Sequence, residues 1–391
     1  MSSHTATIVE PTPTAPPPGL ATMAGAGLSV GVLTTWRQFL GVRRAWERLA
    51  ATDPDGVLLG HDWTAQAWKA SPELRAGETP LILAATAADG QLAAVLPLRH
   101  NQRTKRLCFL EEARSQRLDL LAAPGCAAAA WRLALAELLR RGGWDRLDLQ
   151  FLRPGGATLA GAACAGLGLA VNARGTVRQR RLDLTRTWSD IEAGFSTYLR
   201  ANFRRRQKRL EARGRLRLTA CSSGDGLWPA LQACFALEKQ GWKGAQATAI
   251  LDVPDLARFY RQLACRLAPR GELRLFCLWL DQRLVAFEYC VADPHSRRLS
   301  SLKIAYDEEF RTASPGTVLR WLLLRDTAGQ FATYEFLGDD AAWKGEWTPE
   351  LTELQHLRIY NRSLGGWAWR ARARAYAVWR AWRARAKPMP P

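Results

Sequence analysis

Residues 301–324, "SLKIAYDEEFRTASPGTVLRWLLL", decide how the rest of this chain is interpreted. The stretch begins with the apolar–polar alternation of a strand, crosses an acidic loop and ends in a strongly apolar helix. Pro315 fits the first helical position, because its missing N–H costs nothing there. Ser314 is then expected to cap the helix, its hydroxyl accepting a hydrogen bond from a backbone N–H.

A helix that begins in this way also attracts anions. Its first N–H groups are unpaired and lie at the positive end of the helix dipole, and Gly316 and Thr317 keep side-chain bulk low around them. A pyrophosphate, such as that of coenzyme A, would fit there. Ordinary turn chemistry explains Ser314, Pro315 and Gly316 equally well, so the three residues alone leave both interpretations open.

The segments around this stretch follow a repeated order. Upstream, the strand "RLRLTA" precedes two helices, the first being "LWPALQACFALEKQGWKG" with Gly244 as its expected end. Three consecutive strands follow, and the strands "ATYEFLG" and "LQHLRIY" come after the apolar helix. The first half contains the helix "TWRQFLGVRRAWERLAAT", a hairpin at Asp89-Gly90, a helix ended by Gly142 and the strand "DRLDLQFL". We therefore expect two similar α/β (α+β) units with mixed, mostly antiparallel sheets flanked by helices.

Composition suggests four parts. Residues 1–28 are rich in Pro, Thr and Ala and are expected to be disordered. Residues 29–180 and 181–360 form the two folded units. Residues 361–391 form a basic helix rich in Trp and Arg.

The overall charge favours acidic partners. The chain has 391 residues, a 48% hydrophobic fraction and a formal net charge of +19, which suits nucleic acid, anionic lipid or a phosphate-bearing cofactor.

The start does not resemble a signal peptide, and no run reaches the ~18 apolar residues of a membrane span. The eight cysteines lie mostly in apolar segments, without a CxxC pair or a Cys/His cluster. This usage predicts reduced, buried thiols, the cytoplasm and no metal site.

Five segments, in order over about residues 185–350, carry a family resemblance: "YLRANFRRRQKRLEARG", "EKQGWKG", "LVAFEYCV", "KIAYDEEFRTASPGTVL" and "YEFLGDDAAWKGEW". They resemble the GNAT acetyltransferase domain of bacterial proteins linked to cellulose and exopolysaccharide biosynthesis. That group is similar to the Fem-type aminoacyl transferases. The first half matches more loosely, through "GQLAAVLPL". The resemblance implies a tandem GNAT-like fold that transfers an acyl group from acyl-CoA to an amine or hydroxyl, plausibly on a polysaccharide or envelope precursor.

The resemblance also implies where the two substrates bind. Acyl-CoA would bind at the start of the apolar helix, with basic side chains near its phosphates: Ser314, Pro315, Gly316, Thr317, Arg311 and Lys303. The acceptor would lie against three further residues: Trp242, Lys243 and Trp343.

Several residues are candidates for the chemistry. Asp340 holds an acidic position of the family and is the preferred base, with Asp339 beside it. Glu335 stands where the family usually has aspartate. Trp343-Lys344 replaces a Tyr-Lys pair, which removes any phenol there but keeps Lys344. The usual phosphate loop is also absent, and "RTASPG" stands in its place.

Two further candidates come from the meander strands. Glu288 lies among apolar residues in "LVAFEYCV", where burial would raise its pKa towards that of a useful base. The alternative is that Glu288 faces outward while its neighbours fill the core. Tyr306 is a candidate acid for the leaving thiolate.

Two other functions fit the same sequence. The basic helix "RANFRRRQKRLEAR" suits a Fem-type donor, a charged tRNA, although no motif of a dedicated nucleic-acid reader is present. The second alternative function is that of a non-catalytic scaffold that holds an anionic polymer. The tail over residues 367–387 is expected to contact an anionic membrane or polymer, or else to dock its tryptophans on the domain.

Overall fold

The computed structural model describes residues 27–111 and 114–385. The predicted disordered lead, residues 1–28, therefore lies outside the described residues except for its last two positions. Within the described ranges, no helix has both the length and the apolar character needed to cross a bilayer.

The strands of the described chain are β1 (Ser29–Leu33), β2 (Thr79–Thr86), β3 (Leu92–Asn101), β4 (Arg106–Phe109), β5 (Leu121–Ala122), β6 (Arg146–Leu152), β7 (Ala170–Asp183), β8 (Leu216–Cys221), β9 (Leu273–Leu280), β10 (Arg283–Asp293), β11 (Arg298–Tyr306), β12 (Thr333–Glu335) and β13 (Leu351–Tyr360).

The helices are α1 (Trp36–Gly41), α2 (Arg43–Ala50), α3 (Gly56–Leu59), α4 (His61–Lys69), α5 (Pro72–Arg75), α6 (Ala127–Arg141), α7 (Pro154–Gly166), α8 (Trp188–Gly194), α9 (Thr197–Glu211), α10 (Leu227–Gln240), α11 (Trp242–Ala245), α12 (Pro254–Leu267), α13 (Pro315–Thr327), α14 (Ala342–Gly345) and α15 (Leu364–Arg385). Short 3₁₀ turns cover Ala268–Arg270 and Glu308–Ala313.

All the strands join one sheet. Their order is β1-β2-β3-β4-β6-β13-β7-β12-β11-β10-β9-β8, with β5 paired to β3. Every pair is antiparallel except β4 with β6 and β11 with β12. This arrangement confirms the expected mixed, mostly antiparallel sheet flanked by helices.

The two halves repeat one plan. In the first half, β2, β3 and β4 form a meander, α6 crosses over, and β6 returns parallel to β4. In the second half, β9, β10 and β11 form the meander, α13 crosses over, and β12 returns parallel to β11. The repeated element order predicted from sequence is thus present as two lobes.

The lobes exchange their last strands. β7 follows the first lobe in the chain but pairs with β12 of the second, with Leu182 opposite Tyr334. β13 follows the second lobe but pairs with β6 of the first, with Ile359 opposite Leu147. Because β13 pairs with β7 over the whole length of β13, the sheet continues without a break between the lobes.

Helices cover both faces of the sheet. On one face, α1–α4, α10 and α12 share a single core, in which the rings of Trp63 and Phe259 meet edge to face at 5.2 Å. On the other face, α6 and α7 cover the first lobe, while α9 and α13 cover the second. Six of the eight cysteines are buried in these layers, as their apolar settings predicted.

A buried ionic network joins the lobes. The guanidinium of Arg117 lies 2.6 Å from the Glu335 carboxylate and 3.6 Å from that of Asp55. Arg298 reaches the same two carboxylates at 2.8 Å (Asp55) and 3.7 Å (Glu335). Burial raises the pKa of Asp55, but Arg117, Arg153 and Arg298 outweigh this effect and hold that pKa below its ordinary value. The network therefore keeps Asp55 ionised inside the protein.

Two predicted helices are interrupted. The helix expected over residues 35–52 is divided at Val42 into α1 and α2. The helix expected to end at Gly244 breaks earlier, where Gly241 adopts an extended conformation between α10 and α11. Gly244 is therefore not a cap. It lies within α11, where a Cβ would overlap the carbonyl oxygen of Lys239.

We predict that Arg117→Ala lowers the free energy of unfolding by about 3–5 kcal/mol, because the buried Glu335 loses its partner at 2.6 Å and keeps only Arg298, at 3.7 Å. Arg178→Ala removes an exposed ion pair with Glu353 and should cost less than about 1 kcal/mol. Urea titration followed by circular dichroism compares the two. A similar loss for both variants would contradict a special role for the network.

Candidate functional site

The site forms where two parallel strands separate. β12 pairs with β11 only from Arg298 to Ser300, and it ends at Glu335. β11 continues to Tyr306, so its far half has no partner on that edge. Such a gap leaves backbone groups and side chains accessible in the middle of a sheet.

One cavity, of about 390 Å³, lies between this gap and the start of α13. We refer to it as the α13 cavity. Its lining includes Arg311, Ser314, Gly316 and Thr317 from the helix start, and Tyr306 from β11. Gly316 faces open space apart from the Tyr306 ring, which would lie 3.7 Å from an added Cβ. The helix start is therefore accessible to a ligand, as predicted.

The cap of α13 differs from the prediction. Ser314 adopts a left-handed conformation with φ of 46°, and its hydroxyl donates to the Arg311 carbonyl at 3.4 Å instead of accepting from the helix. The Ser314 carbonyl accepts from the amide of Thr317 at 2.9 Å. Pro315 is buried at the first helical position and does not line the cavity. Ser314 thus shapes the turn by its backbone, not as a side-chain cap.

The opposite wall of the α13 cavity comes from α11. Lys243 donates to the buried carboxylate of Glu238 at 2.6 Å and to the Ile304 carbonyl at 3.0 Å. The backbone amide of Trp242 donates to Glu308 at 2.8 Å, while the indole ring is 54% exposed. These contacts attach α11 to the unpaired edge of β11.

A second cavity, of about 400 Å³, lies on the other side of the gap and is lined by both lobes. We refer to it as the interlobe cavity. The first lobe contributes Arg114 and Gln116, and the second contributes Lys303 and Lys344. None of the described residues that line it is acidic. The cavity is therefore strongly cationic.

Unsatisfied polar atoms line the same space. Among the described residues, the Gln116 side-chain oxygen and the Arg114 Nε are buried without a hydrogen-bond partner. Within the same ranges, the Lys303 ammonium has neither a hydrogen bond nor an ion pair, and it lies 5.4 Å from the Tyr260 ring centroid. Burial lowers the pKa of Lys303, and Lys243 adds to this effect. An anionic ligand would satisfy the Arg114 Nε–H and the Lys303 ammonium, whereas the Gln116 oxygen needs a hydroxyl or amine donor.

Lys344 holds the loop that closes the gap. Its ammonium donates to the carbonyls of Leu337 and Asp339, the latter at 2.6 Å. Burial, with help from Arg320, lowers the pKa of Lys344 to about 8. Leu337 adopts φ of 43°, which is unusual for a leucine and is stabilised by this contact.

Three residues form a shared wall where the two cavities adjoin, because Ile304, Arg320 and Trp343 line both. The buried Arg320 guanidinium lies 4.5 Å from the Trp343 ring centroid and donates to Glu288 at 3.0 Å. Glu288 also accepts from the Tyr334 hydroxyl. Glu288 is therefore neither outward-facing nor an unpaired base. Glu288 instead forms an ion pair with Arg320, the cation in the wall between the cavities.

The structure brings together most of the residues predicted from sequence. The α13 cavity is lined by Arg311, Ser314, Gly316, Thr317, Tyr306, Glu288, Trp242, Lys243 and Trp343. Lys303 was expected beside the cofactor but lies with Lys344 in the interlobe cavity.

Three predicted carboxylates line neither cavity. Asp340 forms a two-point ion pair with Arg180, at 2.6 and 3.1 Å, on the surface. Asp339 is exposed, and it is its backbone carbonyl, not its carboxylate, that contacts Lys344. Glu335 belongs to the buried network between the lobes, and burial raises its pKa. The preferred base, Asp340, is therefore engaged elsewhere.

Sequence reasoning missed Arg320, Arg114 and Gln116. Arg320 had one available signal, since it is a charged residue inside the apolar run "VLRWLLL". A buried arginine in such a run needs a carboxylate partner, and Glu288 stands in a similar apolar segment. Arg114 and Gln116 carry no local signal, because only the packing of the two lobes brings them to the cavity.

One group of possible metal ligands lies away from these cavities. Glu47, His61 and Asp62 present ligand atoms within 4.8 Å of one another. Asp62 already pairs with two arginines, with Arg43 at 3.0 Å and with Arg270 at 2.5 Å. Since protein cations already neutralise Asp62, we assign the group no functional role.

Comparison with known proteins identifies the second lobe. Residues 198–345 match the family model described as an acetyltransferase (GNAT) domain. A search of curated proteins finds no match.

Solved structures share the fold over most of the chain. The crystal structure of FemX aligns with a TM-score of 0.56 and 13% identity, over 84% of this chain and 96% of that chain. The C-terminal domain of a putative lysylphosphatidylglycerol synthetase from Agrobacterium fabrum aligns with a TM-score of 0.52 and 13% identity, over 84% of this chain and 94% of that chain. At this identity, the likeness concerns the fold alone.

The matched segment runs from α9 to α14 and contains the strand gap, the start of α13 and all three residues of the wall between the cavities. The family match supports the GNAT part of the resemblance seen in the sequence, and the link to cellulose and exopolysaccharide biosynthesis stays a prediction. Residues 198–345, in the second lobe, thus match the acetyltransferase (GNAT) domain family.

Proposed function

We propose that the protein transfers an acyl group from acyl-CoA, held in the α13 cavity, to an acceptor held in the interlobe cavity. One observation carries this proposal: the two cavities adjoin at the strand gap, one at an accessible helix start and the other lined by cations and by no acidic residue among those described. The donor's phosphates would lie against the first turn of α13 and Arg311. Its thioester would reach the wall formed by Ile304, Arg320 and Trp343.

The transfer needs few protein groups. The acceptor's nitrogen or oxygen attacks the thioester carbonyl carbon, the C–S bond breaks, and the acceptor's proton is lost to water. Unpaired backbone amides on the edge of β11 are suited to stabilise the oxyanion. Tyr306, in the α13 cavity, is placed to protonate the leaving thiolate. Holding both substrates at the gap supplies much of the rate.

The lining of the interlobe cavity limits the class of acceptor. Lys303, Lys344 and Arg114 repel a protonated amine and attract an anion. They also lower the pKa of an acceptor amine, so no carboxylate base is required. We therefore propose an acceptor with a phosphate or carboxylate next to its nucleophile, such as a phosphorylated precursor of an envelope polysaccharide.

A second donor fits another observation. Arg204, Arg205, Lys208 and Arg209 form an exposed ridge along α9. Arg209 donates to the Thr312 carbonyl at 3.2 Å, so the ridge lies beside the turn that leads into α13. A charged tRNA could extend along this ridge, which would make the reaction an aminoacyl transfer. Binding of charged tRNA without binding of CoA would favour this alternative.

We predict that acetyl-CoA binds the protein and that Gly316→Glu weakens this binding roughly tenfold. A carboxylate about 4 Å from a phosphate costs roughly 1–4 kcal/mol, and 1.4 kcal/mol is a factor of ten. Gly155→Glu is the matched control, because Gly155 follows the first proline of α7 and also faces open space. Isothermal titration calorimetry measures the three proteins. Equal weakening by both variants would contradict the site, and no binding by wild type would contradict the donor.

We predict that a phosphorylated amino sugar is a better acceptor than the same sugar without phosphate. Lys303→Gln should lower kcat/KM for the phosphorylated sugar roughly 10–100-fold, since a hydrogen bond to a charged group contributes about 1.5–3 kcal/mol. Arg325→Gln removes an exposed charge of α13 and should leave both rates unchanged. Thiol release from acetyl-CoA reports turnover. Equal use of the two sugars by wild type would contradict an anionic acceptor.

We predict that sulfate, whose charge is constant in this range, inhibits competitively with the acceptor and less strongly above pH 8. Lys344 has a pKa of about 8, so it is a cation below this pH and neutral above it. The inhibition constant should therefore rise with pH in wild type. In Lys344→Gln it should be high throughout, without a step near pH 8. An unchanged step in that variant would assign the titration to another group.

A further inference from the structure

The helix α15 extends from the body of the protein. Near its start, the Arg146 guanidinium stacks 3.9 Å from the Trp369 ring centroid, and Gly365 packs against Asp145. Trp369, Arg370 and Ala373 are partly buried. By contrast, every side chain over residues 374–379 is exposed. The helix thus docks by its first turns and leaves residues 374–379 free.

The exposed part carries an apolar stripe. Small or apolar residues recur at intervals of three and four along one side of the helix. They are Ala368, Ala371, Ala375 and Val378, and the sequence continues the spacing to Trp382. Val378 is 70% exposed and the adjacent Trp379 is 46% exposed. Trp369 and Ala373, which contact the body, fall on the opposite side, so the stripe faces away from the protein.

Arginines border this stripe. The helix carries six, at Arg370, Arg372, Arg374, Arg380, Arg383 and Arg385, and the sequence has no acidic residue from Leu364 to its end. At 100° per residue, Arg372 and Arg383 fall on one edge of the stripe, and Arg370 and Arg374 fall beyond the other. An apolar stripe between two cationic edges suits a surface that is apolar within and anionic at its boundary.

We propose that α15 lies on the surface of an anionic lipid bilayer, with the Val378 stripe among the acyl chains and the arginines at the lipid phosphates. A second copy of the helix is a poorer partner, because like-charged edges would meet without any acidic residue between them. A nucleic acid would use the arginines but would leave the alanine and valine stripe in water. This inference is independent of the acyl-transfer proposal.

Co-sedimentation with vesicles tests the inference on the full chain. We expect the protein to pellet with vesicles of equal parts phosphatidylcholine and phosphatidylglycerol, but not with phosphatidylcholine alone. Val378→Glu should weaken the apparent affinity at least roughly fivefold, because it places a charge in the stripe. Ala377→Glu adds the same charge on the side away from the stripe and should change the affinity less than about twofold. A chain ending at Ser363 should not pellet.

Other outcomes overturn the proposal. Equal weakening by Val378→Glu and Ala377→Glu would show a contact made by charge alone. Unchanged pelleting of the chain ending at Ser363 would place the membrane contact elsewhere. A dimer that light scattering detects, and that Val378→Glu dissociates, would instead assign the stripe to a second copy. Tighter binding to a single-stranded oligonucleotide than to anionic vesicles would favour nucleic acid.

Discussion

The guanidinium of Arg117 lies between the carboxylates of Asp55 and Glu335, and the arrangement of the two lobes depends on this contact. Three ionised groups in a nearly dry interior are tolerated only in good geometry, because each has lost its hydration. The Gln179 side chain accepts a hydrogen bond from the Arg117 Nε at 2.8 Å, which fixes the orientation of the guanidinium. Arg298 holds the same two carboxylates, so two arginines join the lobes at one place.

The position of Glu335 connects the network to the site. Glu335 is the last residue of β12, so the network holds the strand at the point where it leaves β11. Beyond it, Lys344 holds the Leu337–Asp339 turn by its carbonyls, and the two cavities open on either side. The exchange of β7 and β13 between the lobes keeps the first lobe against this gap. The interlobe cavity is therefore a property of both lobes together.

The parts of the candidate site that come from one short segment of the chain could be predicted from the sequence. Pro315 and Gly316 predict the start of α13. The ordered family resemblance predicts that Trp343 and Lys344 lie at the site. Carboxylates were less predictable, since the role of each depends on the nearest cation. Asp340 pairs with Arg180, 160 residues away, and Glu335 pairs with Arg117, 218 residues away. Local pattern carries no information about such pairs, and acids that resembled catalytic groups prove to be bound to arginines.

The sequence by itself determined the plan of two similar units with mostly antiparallel sheet flanked by helices, the start of α13 and the cationic character of the tail. These features depend on hydrophobic periodicity, on proline and glycine geometry and on charge, all of which act over a few residues. Only the tertiary structure decided that β7 and β13 change lobes, that Lys303 lies apart from the start of α13, and that Glu288 holds Arg320. Pairing between distant segments depends on the packing of the whole chain. A given strand edge or charged side chain could pair with several others, and only the packed core leaves one of these pairings possible.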